Sequence, residues 1–159
     1  MALEYSYGQA VSMSVSDFAA ALHQRAVDGE VLRGDTNVDA LLGRGAGLSG
    51  GAVVSVYRQA PYVLDSVVHD FDFAPTVGIV VRFDKFGDMR IQRDELVSLA
   101  LAALDIDSGD AIGHVDYERV WLLRRDGRLV LGEHHLWTPE HLAMVPYPYE
   151  RGELAFAEG

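Results

Sequence analysis

Three histidines near the C-terminal end, His134, His135 and His141, sit with Glu133 and Glu140 beside them. Neutral imidazoles are common zinc ligands, and a neighbouring carboxylate can orient them. A metal-dependent enzyme is therefore the first chemistry to consider. The spacing argues against it, because a helical zinc site places two histidines at i and i+4 on one face. His135 and His141 are six apart with Pro139 between them, and His134 and His135 point to opposite sides of an extended chain. Surface or hairpin-end histidines are the reading that the spacing favours.

The run Gly45-Ala46-Gly47-Leu48-Ser49-Gly50 matches a dinucleotide-binding glycine pattern letter for letter. Such a loop must follow a strand and open a helix, so that a pyrophosphate meets the helix N-terminus. Here it leads into Ala-Val-Val-Ser-Val-Tyr, a strand, and a flexible turn is expected instead. The same run lacks the spacing and the strand-to-helix context of a nucleophile elbow. No cofactor follows from these patterns.

Asp65, Asp70, Asp72 and Asp84 could do acid–base work only if burial pushed paired carboxylates apart in pKa. Their spacing shows no pairing, and no glycosidase or calcium-loop pattern is present. Asp84 and Lys85 fit a strand-end ion pair. Asp65, Asp70 and Asp72 fit better as part of an acidic docking face, since anionic surfaces steer basic partners. Aromatic side chains are favoured interface anchors. Trp137, Tyr147 and Tyr149 follow loops or prolines and are expected to be exposed, whereas Trp121 lies within a strand and is expected in the core. These six, Asp65, Asp70, Asp72, Trp137, Tyr147 and Tyr149, are the candidate partner-binding residues.

The whole-chain charge points the same way. Acids outnumber bases 24 to 13, the net charge is −11, and Lys85 is the only lysine. Phosphate binding needs clustered Lys and Arg, so nucleic acid is a poor ligand and a basic protein a better one. There is no cysteine, which removes disulfides and thiolate chemistry. No apolar run is long enough to span a membrane, and the first residues lack the pattern of a signal peptide. A soluble cytoplasmic protein is expected, with residues 1–159 as one domain.

These residues must be held by a few elements. Residues 2–7 and 11–13 read as strand, and residues 15–27 as an amphipathic helix, capped by Ser14 with Asp17 three residues on and closed by Gly29. Residues 37–42 suit a short helical turn, 52–59 a strand, and 74–83 a central strand buried on both faces. Residues 61–70 fit no single element. A second amphipathic helix covers 92–104. Strands follow at 111–117, 119–125 and 128–133, the last two joined by Asp126-Gly127, a strong hairpin signal. Thr138-Pro139 opens a short helix, and residues 150–159 are expected to be extended or frayed. The order is that of an α+β fold, an antiparallel or mixed sheet of about five to seven strands packed against two main helices.

Three stretches carry a family likeness. They are the opening Met-Ala-Leu-Glu-Tyr-Ser, the central Asp70-Phe71-Asp72-Phe73-Ala74-Pro75-Thr76-Val77 running to Arg82-Phe83-Asp84-Lys85-Phe86, and Val120-Trp121-Leu122-Leu123-Arg124-Arg125-Asp126-Gly127. The last continues to Trp137-Thr138-Pro139, Leu142-Ala143 and Pro148-Tyr149. Over most of its length the chain resembles the Sit-type immunity proteins, the protective partners in bacterial swarming-inhibition toxin systems. The resemblance implies an intracellular protein without enzymatic activity that protects its own cell from a cognate toxin, and a toxin encoded by an adjacent gene is the partner expected. A metal-dependent enzyme and a structural or oligomeric module remain the alternatives, and the oligomeric state stays open.

Overall fold

The computed structural model describes residues 3–60 and 66–156. Alternation sets the first strand, β1 (Glu4–Gln9), which turns Tyr5, Tyr7 and Gln9 to one face. Ser14 then caps α1 (Val15–Asp28), its hydroxyl accepting from Asp17 N–H at 3.1 Å. That bond satisfies one of the amides a helix start leaves unpaired. Phe18, Ala19, Leu22 and Ala26 form the helix's buried stripe. The short α2 (Val38–Leu42) is capped by Asn37.

Strands β2 (Ala46–Gly47), β3 (Val53–Arg58) and β4 (Val77–Arg82) follow, with α3 (Ser66–Phe71) between the last two. The longest helix, α4 (Met89–Ile106), starts at Asp88, whose carboxylate accepts from Ile91 N–H at 3.1 Å. Strands β5 (Ala111–Val115), β6 (Arg119–Arg125) and β7 (Arg128–Gly132), helix α5 (Pro139–Met144) and strand β8 (Glu150–Gly152) complete the order. Asp126 and Gly127 have φ of 52° and 80°, the left-handed backbone that a two-residue hairpin turn requires.

The strands form one sheet in the order β2-β3-β4-β1-β5-β6-β7-β8. Every pairing is antiparallel except β7 with β8. The fold is α+β with two long helices, as expected, but the strand count is eight rather than five to seven. The short edge strands β2 and β8 account for the difference. Residues 150–152, expected to be extended or frayed, pair with β7 as an edge strand. Residues 11–13 are not strand: Val11 N–H donates to Thr76 Oγ1 and Ser12 to Asp107, so the chain leaves the sheet there.

Two apolar clusters lie on opposite faces of the sheet. The larger joins α1 and α4 to Tyr5, Tyr7, Val54, Val56, Ile79 and Val81. Each of these large side chains contributes roughly 1.5–3 kcal/mol by leaving water. The smaller holds Val67, Ile112 and Val120 with Phe71, Phe73, Leu123, Leu154 and Phe156 around them. Neighbouring Ala111 and Ile112 fall in different clusters, as strand alternation demands.

Candidate protein-binding surface

The glycine run has a structural task. The amides of Ser49 and Gly50 donate to the two carboxylate oxygens of Glu95 on α4, at 3.0 and 2.9 Å. A Cβ on Gly50 would lie 2.7 Å from that carboxylate, so glycine permits the close approach. Burial raises the Glu95 pKa, against the two amides that lower it. The turn therefore receives an anion, but one from its own chain.

The six candidate contact residues do not share one surface. Asp65 lies outside the described residues. Trp137 is buried, contrary to expectation, because its indole N–H donates to the Trp121 carbonyl at 2.6 Å and its ring packs in the main core. Trp121 is in that core, as expected. Tyr147 and Tyr149 line a groove of about 400 Å³ with Leu104, Arg128, Leu129 and Pro148. The Tyr147 hydroxyl donates to Asp105 at 3.3 Å, and burial followed by that carboxylate raises its pKa. Asp70 and Asp72 belong to the opposite face, where they flank Phe71 at the end of α3.

The histidines are occupied separately, and His134 and His141 are buried, contrary to the expected surface position, because each ring bonds to the backbone around Leu136. His141 Nδ1 donates to the Leu136 carbonyl at 2.6 Å, and Nε2 meets Asp94 Oδ1 at 2.6 Å. His134 Nδ1 accepts from Leu136 N–H at 3.1 Å, and its ring stacks on His135 with centroids 4.2 Å apart. Burial, then His135, Arg119 and Arg93, push the His134 pKa down to about 4. His135 is lowered by burial, Arg93 and Arg119. Among the described residues no three His, Asp or Glu side chains are grouped as metal ligands.

The Asp70–Asp72 face contains a corner that the sequence reading did not single out. Phe71 packs edge-on against Phe156 at 5.1 Å, and Phe156 in turn meets His114 at 5.4 Å and Tyr117 at 5.6 Å. His114 and Tyr117 lie 4.3 Å apart, and Tyr117 N–H donates to His114 Nδ1. Asp116 and Tyr117 form the turn between β5 and β6, with φ of 52° and 55°. Such left-handed backbone costs a non-glycine residue roughly 1–2 kcal/mol. Tyr117 is nonetheless 48% exposed, between the exposed acids Asp116 and Glu118. The spacing held a signal for this turn: strands read at 111–117 and 119–125 leave too little chain to reverse direction.

Among the described residues no helix is long and apolar enough to cross a membrane. No curated protein and no solved structure matches the chain. A family model does match, over residues 3–141, which is most of the sheet and both long helices. The chain belongs to the SitI3-like family, in agreement with its resemblance to Sit-type immunity proteins.

Proposed function

We propose that the protein is a cytoplasmic immunity protein that binds and neutralises a cognate toxin without catalysing a reaction, docking through the corner around Tyr117. Family membership supports the immunity role. The observation that carries the surface is Tyr117 itself, a large aromatic held exposed in left-handed backbone on an acidic turn. Strained residues persist where the surrounding structure holds them in place, and they cluster at ligand clamps and other functional sites. Tyrosine is also a favoured interface anchor. Asp116 and Glu118 beside it, and Asp70 and Asp72 flanking Phe71, give the corner an anionic rim suited to a basic partner.

The test is co-expression with the product of the adjacent gene. The wild-type chain should form a salt-sensitive complex and protect growth, and Asp116→Lys with Glu118→Lys should abolish both. No complex and no protection with the unaltered chain would sink the binding role.

A further inference from the structure

Among the described residues Arg44, Arg58, Arg90, Arg93, Arg119 and Arg124 form no ion pair. Arg124 is buried but its guanidinium is bonded to backbone carbonyls, and Arg44, Arg58, Arg90 and Arg119 are exposed. Arg93 is half-buried, and its Nε is buried with no hydrogen-bond acceptor. A buried donor left unpaired is unfavourable, and a buried charge more so. Its charge acts on Tyr5, His134 and His135. None of the three carries a negative charge near neutral pH: burial raises the Tyr5 pKa, and both histidine pKa values are lowered.

Arg93 and Arg90, three residues apart on α4, line a cavity of about 540 Å³ together with Thr138, His141 and the exposed Met144. Two acids share the wall, and both are engaged. Asp94 meets His141, and Glu140 is bonded to its own amide and to the Thr138 hydroxyl and also feels the Arg90 charge. The cavity thus offers two guanidinium groups whose planar forks match a carboxylate in bidentate geometry.

We propose that Arg93 and Arg90 receive a carboxylate side chain of the protein partner, as a second contact at the same end of the sheet as Tyr117. This rests on the binding role proposed above. The two sites lie near one another, since His135 is within reach of both the Arg93 and the Arg119 charge, and Arg119 opens the strand that follows the Tyr117 turn. With Asp94 and Glu140 in the wall, a singly charged carboxylate fits better than a doubly charged phosphate, which those acids repel. The anionic corner and the unpaired Arg93 together would fix the partner's orientation, because complementary charge sets register.

The experiment follows the Arg93 side-chain Nε–H signal by NMR and measures affinity for the adjacent gene's product. The signal should shift when that protein binds, and also with sodium acetate, more than with inorganic phosphate. Arg93→Gln should weaken the complex by about tenfold or more, and the pair Arg93→Glu with an acid-to-Arg change on the partner should restore part of the loss. Full affinity in Arg93→Gln, while Tyr117→Gly weakens the complex, overturns this inference and leaves the binding role standing. A stronger response to phosphate than to acetate makes the cavity a free-oxyanion site and overturns the assignment to a protein carboxylate. If the wild-type chain binds no partner, the binding role and this inference fall together.

Discussion

Two arginines mark opposite ends of α4: Arg93 lies in its first turns, and Arg124 of β6 bonds to its last. Arg124, at the end where α4 stops, is buried and has no carboxylate bonded to it, yet its donors reach the carbonyls of Leu104, Asp107 and Gly109. The Leu104 carbonyl is one that a helix C-terminus leaves without a partner, those of Asp107 and Gly109 belong to the turn that follows, and a cation there also suits the helix dipole. The surroundings reinforce the arrangement. Gln9 donates to the Asp107 carbonyl and accepts from Tyr7, while Asp107 itself accepts from Gly109 and Ser12. Partial burial alone would raise the Asp107 pKa, but those bonds and the Arg124 charge outweigh it and hold it low.

Arg93, towards the other end, has no such acceptors. Near it lie two histidines with depressed pKa values, and beyond Arg119 the strained Tyr117 turn. One end is built to close the fold. The other carries unmet charge and strain, and natural proteins break local consistency mainly at functional sites.

The sharpest way to break the comparison is at Arg124. Arg124→Ala removes partners from several buried carbonyls at once, and should cost about 3–5 kcal/mol, by analogy with breaking a buried pair. Urea denaturation would read this as a large fall in midpoint. A loss below about 1 kcal/mol would mean that the arginine does not cap α4.

The second effect is pH dependence at the strained end. His134 titrates near 6.5 when unfolded and is pushed down to about 4 when folded. Above pH 6.5 both states are neutral and the stability is fully present. As pH falls towards 4 the unfolded chain takes a proton that the folded chain refuses, so stability is lost. Between pH 7 and pH 5 the loss should be about 2 kcal/mol. His134→Gln should remove most of it, and equal slopes in the two proteins would contradict the assignment.

Much of the fold was legible because its signals are local. Ser14 with Asp17, Thr138-Pro139 and Asp126-Gly127 each fix a cap or a turn within a few residues. What escaped depends on distant partners. Residues 150–152 have no apolar periodicity and become strand only because β7 offers an edge. Trp137 follows a loop, as an exposed residue might, but the hairpin brings the carbonyl of Trp121 to its indole. The acidic bias directed attention to Asp70 and Asp72, on the face that also carries Tyr117. It also hid the cavity at Arg90 and Arg93, where the relevant charge has the opposite sign. The Glu95 cradle shows the limit of a motif: the glycine amides do hold a carboxylate, but the sequence pattern does not say whose.

Smaller effects on stability sharpen the comparison further. In Tyr117→Gly the relief of left-handed strain, about 1–2 kcal/mol, opposes the lost ring contacts with His114 and Phe156, about 0.5–1.5 kcal/mol. The fold should therefore change by about 1 kcal/mol or less, while affinity for the partner falls. A stability loss of several kcal/mol would make Tyr117 a core residue instead.

The smallest effect on stability is expected at Arg93, and it bears most directly on the contrast. Arg93→Gln removes a charge that the folded chain leaves without a counter-ion. The denaturation midpoint should move little, within about 0.5 kcal/mol in either direction, as for substitutions that break no specific interaction. Denaturation of the Gln variant beside Arg124→Ala tests both arginines in one measurement. Equal losses would mean that Arg93 also holds the fold together, and the difference between the two ends of α4 would disappear. A large loss at Arg124 with almost none at Arg93 leaves the second arginine free to serve a partner.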